Sequence, residues 1–192
     1  MNTPSDWELV ALARAGDDQA FGALVRRHEN GLIAFCHRMT GSRDDAEDLA
    51  QECFIRVYRY LWRLRPEAKF STVLFGMARN LTLNFLRDAK RRGRCRTQPL
   101  TSHDAVQERV CNPLHTPDSQ ARLSELEARL ERTLELLSPE HREILVLREL
   151  NGLDYDAIAA VIRRRKGTVR SRLARAREQF RIRWLELGGG DL

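Results

Sequence analysis

Apolar residues recur along this chain at spacings of three and four, the signature of amphipathic helices. Ser5-Asp6 can cap a first short helix, Trp7 to Ala15, and Gly16 suits its C-terminal end. Asp17-Asp18 caps a second, with apolar residues at Phe21, Leu24, Val25, Leu32, Ile33 and Phe35 and a kink or break at Gly31. After a Thr40-Gly41-Ser42 turn, a third helix runs from Asp44 to Leu64 on a stripe of Ala46, Leu49, Ala50, Cys53, Val57 and Leu61. Arg65 to Lys69 reads as a loop, because Pro66 disfavours helix at the residue before it. Ser71 or Thr72 caps a fourth helix, reaching Arg92, with Leu74, Met77, Ala78, Leu81 and Phe85 toward a core.

From Gly93 to Thr116 the periodicity fades, and Gly93, Pro99 and Pro113 mark a linker. Beyond Pro117 the pattern returns. Leu123, Leu126, Leu130, Leu134 and Leu137 make one apolar stripe, too short and too soon followed by Pro139 for a dimerising coiled coil. Ser138-Pro139 is an N-cap with Pro at the first helical position, opening a helix that closes at Asn151-Gly152. Asp154 caps a short helix with Ala157, Ile158, Val161 and Ile162 inward. Gly167-Thr168 opens the last, with Val169, Leu173, Ala176 and Phe180 buried. The expected fold is all-α: two small helical domains, 1–92 and 117–187, joined by a flexible linker, 93–116.

The polar faces change the picture from architecture to chemistry. Tyr155 to Arg183 reads as a helix-turn-helix with ten Lys/Arg against two acids, the surplus that phosphate contacts need. Thr168, Ser171 and Arg175 point away from its buried stripe and Arg170 flanks that face. An amphipathic hairpin with a solvated basic face fits the same residues. On the fourth helix Arg79, Asn80, Leu83, Asn84 and Arg87 line one side. Asn and Arg can read base edges with paired hydrogen bonds, and two Asn inside a helix cost propensity. An ordinary wet face is the plainer account. On the third helix Asp44 to Glu52 holds five acids and no base. Acids in a first turn favour the helix dipole, which accounts for Asp44 and Asp45 but less well for Asp48 and Glu52. Asp45, Asp48 and Glu52 recur at i, i+3 and i+7 with Gln51 beside them, a stripe suited to a basic protein surface or, alternatively, to a carboxylate metal cluster.

Composition narrows the classes. The chain has 192 residues, 42% of them hydrophobic, enough for packed cores, and a net charge of +6, which favours a polyanionic partner. No signal peptide or membrane-spanning run is evident, so a cytoplasmic protein without membrane insertion is expected. Cys36, Cys53, Cys95 and Cys111 are scattered without a paired motif and are expected to stay reduced. Cys95, His103, Cys111 and His115 match no standard zinc spacing, leaving metal binding or redox sensing there unsupported. No nucleophile–base pair, phosphate-cradling Gly loop or metal triad stands out, so neither enzyme nor cofactor is expected.

Three segments carry a resemblance. Asp44-Asp45-Ala46-Glu47-Asp48-Leu49-Ala50-Gln51-Glu52-Cys53-Phe54, Phe70-Ser71-Thr72-Val73-Leu74-Phe75-Gly76-Met77-Ala78-Arg79-Asn80 and Gly167-Thr168-Val169-Arg170-Ser171-Arg172-Leu173 resemble, in order, the signatures of bacterial extracytoplasmic-function sigma factors. The resemblance implies a dissociable promoter-specificity subunit of RNA polymerase. It implies that Asp45, Asp48, Gln51 and Glu52 dock on the clamp helices of the largest polymerase subunit. Lys69, Phe70, Arg79, Asn80, Asn84 and Arg87 would hold the minus-ten element as a single strand. Lys166, Thr168, Arg170, Ser171 and Arg175 would meet the minus-thirty-five element as duplex. An anti-sigma factor is the further partner implied. The chain departs from the family pattern at Val73, where Trp is usual, and at Arg163, where the turn usually has Gly, so Arg163 must accept a strained or altered turn. The competing class is a one-component DNA-binding regulator that needs no polymerase.

Overall fold

The computed structural model describes residues 3–92, 117–188 and 190. The segment assigned above as a linker, with Cys95, His103, Cys111 and His115, lies outside the described residues. All regular elements among those described are helical: α1 (Asp6–Arg14), α2 (Asp18–Thr40), α3 (Arg43–Arg59), α4 (Phe70–Arg91), α5 (Pro117–Glu135), α6 (Pro139–Leu145), α7 (Tyr155–Ile162) and α8 (Lys166–Glu186). A 3₁₀ turn, Leu61–Arg63, follows α3, and a π-helical turn, Val146–Leu150, extends α6.

Most helix starts follow the expected caps. Ser5 and Glu8 form a reciprocal capping box. Asp17 accepts from the amides of Gln19 and Ala20, Ser138 from His141 and Asp154 from Ala157, while Ser42, expected only in a turn, caps α3 by accepting from Asp45. Each such cap contributes about 1 kcal/mol by satisfying an amide that the helix leaves open.

Three departures from the sequence reading have a tertiary reason. α2 runs unbroken through Gly31. A Cβ there would lie 3.3 Å from the Asn151 side-chain oxygen and 3.9 Å from the Phe75 ring, so glycine makes room for a neighbour and does not interrupt the helix. α3 stops at Arg59, short of Leu64. Leu61 and Leu64 are both buried, and their spacing of three suits a 3₁₀ turn. Arg14 of α1 holds that turn, donating to the carbonyl of Leu61 at 2.8 Å and to that of Leu64. α4 begins at Phe70 behind Lys69, with no side-chain cap, so Ser71 and Thr72 lie inside its first turn. The Phe70 ring is buried edge-on to Trp7 and beside His28, which anchors the start by packing.

α1 to α4 close around Leu24, Leu32, Phe35, Val57 and Leu74, all essentially without exposure. α6 to α8 close around Ile144, Leu147, Ile158, Val169 and Leu173, with α5 laid on α8. Burying each such side chain contributes about 1.5–3 kcal/mol. The two groups of helices also meet. α7 rests on α4, and α6 with its π-helical turn rests on α2. That contact decides which polar side chains are free at the surface.

Candidate nucleic-acid interface

The turn between α7 and α8 keeps the expected path despite its arginines. Arg163 takes the left-handed conformation, φ 53° and ψ 51°, and Arg164 donates its amide back to the Ala159 carbonyl. A side chain in that region costs roughly 1–2 kcal/mol. α8 then starts at Lys166, one residue before Gly167. Val169, Leu173 and Ala176 are buried as expected, and Phe180 half-buried. Lys166, Thr168, Arg170, Ser171 and Arg175 are all exposed on the first turns of α8. At Lys166 and Thr168, in the first turn, the partial positive charge of the helix start adds to the attraction for anions. Local contacts orient several of them. Lys166 pairs with Asp156 at 2.6 Å, Ser171 Oγ donates to the Thr168 carbonyl at 3.1 Å, and the Arg170 guanidinium lies 5.8 Å from the Tyr155 ring centre.

The polar side of α4 is split. Asn80, Asn84 and Arg87 face solvent, and Arg87 donates to Asn84 Oδ1 at 3.3 Å. Asn84 and Arg87, with Asp88, Lys90 and Arg91, border an open concavity at the helix end. Arg79 turns the other way. Its guanidinium bonds Glu143 of α6, Nε to Oε1 at 2.5 Å, with side-chain exposures of 19% and 5%. Burial, opposed by Arg79 itself, pushes the Glu143 carboxyl above its ordinary value. Lys69 likewise reaches Asp154, at 3.0 Å, but this pair is largely exposed and worth little. Asp154 is held below its ordinary value first by the Ala157 amide it caps and then by Lys69. Phe70, expected at a DNA face, is core: at 1% exposure its ring reaches no strand from this position. Its aromatic neighbours Trp7 and His28 could not be identified from local spacing.

On α3, Asp48 and Gln51 are exposed, and Asp45 and Glu52 half-buried. Glu52 is tied to Arg56 at 2.7 Å. Gln51 sits on the lip of an apolar groove of about 390 Å³ between α2 and α3, lined by Phe21, Val25, Ile33, Phe54, Ile55 and Tyr58. Ile55 and Tyr58 are exposed on this face, and neither stands out as functional in the sequence. The available signal was that both are apolar yet lie off the buried stripe of their own helix. Among the described residues no group of three or more His, Cys, Asp or Glu stands close enough to hold a metal ion. No helix among them is long and apolar enough to cross a membrane.

Comparison with known proteins accounts for this arrangement. Residues 24–92 match the Sigma-70 region 2 family, and residues 127–180 match the Sigma-70, region 4 family. The chain is 34% identical over 176 residues to the RNA polymerase sigma-H factor of Pseudomonas aeruginosa, covering 90% of each. It is 36% identical over 179 residues to the ECF RNA polymerase sigma-E factor of Haemophilus influenzae, covering 92% of this chain and 93% of that one. Among solved structures it is similar to CnrH in complex with the cytosolic domain of CnrY, with a TM-score of 0.67, 25% identity, and coverage of 92% and 95%. A sigma factor RpoE in complex with the anti-sigma factor NepR from Bartonella quintana shares the fold at a TM-score of 0.68 and 22% identity, covering 86% of this chain and 96% of that one. With both regions matched in order and relatives covered over nearly their full length, the chain belongs to the extracytoplasmic-function family of RNA polymerase sigma factors, transcription initiation factors and not enzymes.

Proposed function

We propose that this sigma factor binds core RNA polymerase through the acidic face of α3 and reads two promoter elements with two different surfaces. Asp45, Asp48, Gln51 and Glu52 offer carboxylates and an amide to a basic partner, and the apolar groove beside Gln51 extends that face with Ile55 and Tyr58. Residues 1–92 take the minus-ten element as a single strand on Asn80, Asn84 and Arg87, with Lys69 and Arg79 joining once they leave their acid partners. Residues 117–187 take the minus-thirty-five element as duplex on Lys166, Thr168, Arg170, Ser171 and Arg175. The observation that carries this reading is the pair of exposed faces, amide-and-arginine on α4 and cationic on the start of α8. The first suits base edges of an opened strand and the second a major groove.

The structural neighbours described above are complexes with partner proteins, one of them named as an anti-sigma factor, and this supports an anti-sigma partner for this chain. The test is run-off transcription with purified core polymerase on a library of upstream genomic DNA, with and without the protein. Transcripts sharing two spaced upstream elements are expected. No transcript, together with tight duplex binding by the protein alone, would replace this reading with a one-component regulator.

A further inference from the structure

From the last turn of α3 toward α4 the chain reads Arg56-Val57-Tyr58-Arg59-Tyr60-Leu61-Trp62-Arg63-Leu64-Arg65, and the function described so far uses almost none of it. Leu61 and Leu64 are buried, which turns Tyr60, Trp62, Arg63 and Arg65 to the surface. Trp62 is 64% exposed, the highest figure of any large hydrophobic side chain among the described residues. The Arg63 guanidinium lies over its ring, 4.4 Å from the centre, and 5.6 Å from the centre of the Tyr60 ring. One side of the indole is therefore backed by a cation and most of the remainder is open.

The segment is also held in place. Arg14 bonds the carbonyls of Leu61 and Leu64, and Trp7 Nε1 donates to the carbonyl of Ala68 at 3.0 Å. An aromatic ring fixed from behind loses little freedom when something stacks on it. From Arg56 to Lys69 there are five cations and one acid; Arg56 pairs with Glu52 and Lys69 with Asp154, and the exposed Arg59, Arg63 and Arg65 still make this surface suit an anionic occupant. A flat apolar face amid cations fits an unpaired base on a phosphate backbone. The bases of a duplex already stack on each other and offer no free face.

We propose that Trp62, backed by Arg63, is a stacking platform for one unpaired base of the opened promoter strand. It is a contact additional to Lys69 and the α4 face. The inference rests on the reading that α4 and the loop before it hold a single strand. It adds a sequence-tolerant contact, because every base has a face to stack.

The test uses the full chain with core polymerase and the promoter identified by run-off transcription. Single-strand oligonucleotides spanning the minus-ten element carry 2-aminopurine at successive positions, and the wild type is compared with Trp62→Ala and Trp62→Phe. One position is expected to be quenched by wild type and by Trp62→Phe, and to regain fluorescence with Trp62→Ala. Strand affinity of the Ala variant should fall roughly 5- to 150-fold, while its core affinity and circular dichroism stay unchanged. Equal quenching and equal strand affinity in Trp62→Ala would overturn the stacking role alone. Lost core affinity with intact strand binding would overturn it in favour of a polymerase contact. If the wild type with core holds no strand at all, the wider reading of α4 fails too.

Discussion

Arg79 and Glu143 lie 64 residues apart in sequence and close on each other at 2.5 Å, joining the α4 surface to α6. One partner belongs to the helix assigned to an opened strand, the other to the half assigned to duplex. Promoter reading through Arg79 therefore requires this contact to break, and its strength sets part of the cost.

Removing one partner of a mostly buried pair is costly because the other charge is left desolvated. Reading Arg79 as a promoter contact requires the two helical groups to separate, which would solvate that charge, so on this reading the loss should appear as undocking and not as unfolding. Glu143→Ala and Arg79→Ala are each expected to speed hydrogen exchange in α7. A double-mutant cycle on the docking equilibrium should give a coupling of about 0.5–3 kcal/mol. Additive effects would remove this pair from the contact.

The same pair makes docking pH-dependent. Burial holds the Glu143 carboxyl above its ordinary value of 4.5, so where it is buried against Arg79 it binds a proton more readily than it would when solvated. Stability from this group is complete below the ordinary value and is lost as pH rises through the docked value. Arg79 and Arg172 oppose the upward shift and Glu140 adds to it. Docking followed by exchange or scattering should weaken with rising pH across that window in the wild type. In Glu143→Gln the corresponding slope should vanish.

Arg163 is the one non-glycine residue with positive φ among those described. Arg163→Gly is expected to relieve the left-handed strain while adding freedom to the unfolded chain, for a net gain of up to about 1 kcal/mol. A thermal melt measures this. A clear loss of stability would mean that the side chain contributes more than its backbone costs.

Cys36 and Cys53 are fully buried, and burial pushes their thiols to about 11 and about 12. Few thiolates exist near neutral pH, and reagents have no path to them. Pulsed alkylation read by peptide mass should leave both unmodified in the native protein and label both in denaturant. Labelling at the global unfolding rate is the expected kinetics; faster labelling would reveal local opening of the α2–α4 core.

On α3, Asp48→Ala with Gln51→Ala should weaken core polymerase binding without altering the helical signal, since both side chains are exposed. Ile55→Ser is expected to act in the same direction by removing apolar surface from the groove edge. Unchanged core affinity in all of these variants would move the docking face elsewhere.

The sequence was most legible where a structure-forming rule is local. The caps at Ser5, Asp17, Ser138 and Asp154, and the buried stripe of α8, rest on neighbours within a few residues. It was least legible where a distant part of the chain decides. Gly31 looked like a break until Asn151 and Phe75 were beside it. Arg79 and Asn80 look alike in a helical pattern, yet Glu143 turns one away from solvent and leaves the other in it. Phe70 lies in a segment whose family resemblance points to DNA, yet its ring is buried against Trp7 and His28, far away in sequence.

Arg14 carries a consequence for anyone who shortens or grafts this protein. Its two bonds to the carbonyls of Leu61 and Leu64 make α1 a splint for a turn it precedes by almost the whole length of two helices. A version trimmed up to Gly16 could retain α2, α3 and α4 and pass every assay of helix content. It would still arrive at the promoter with an unset joint between α3 and α4.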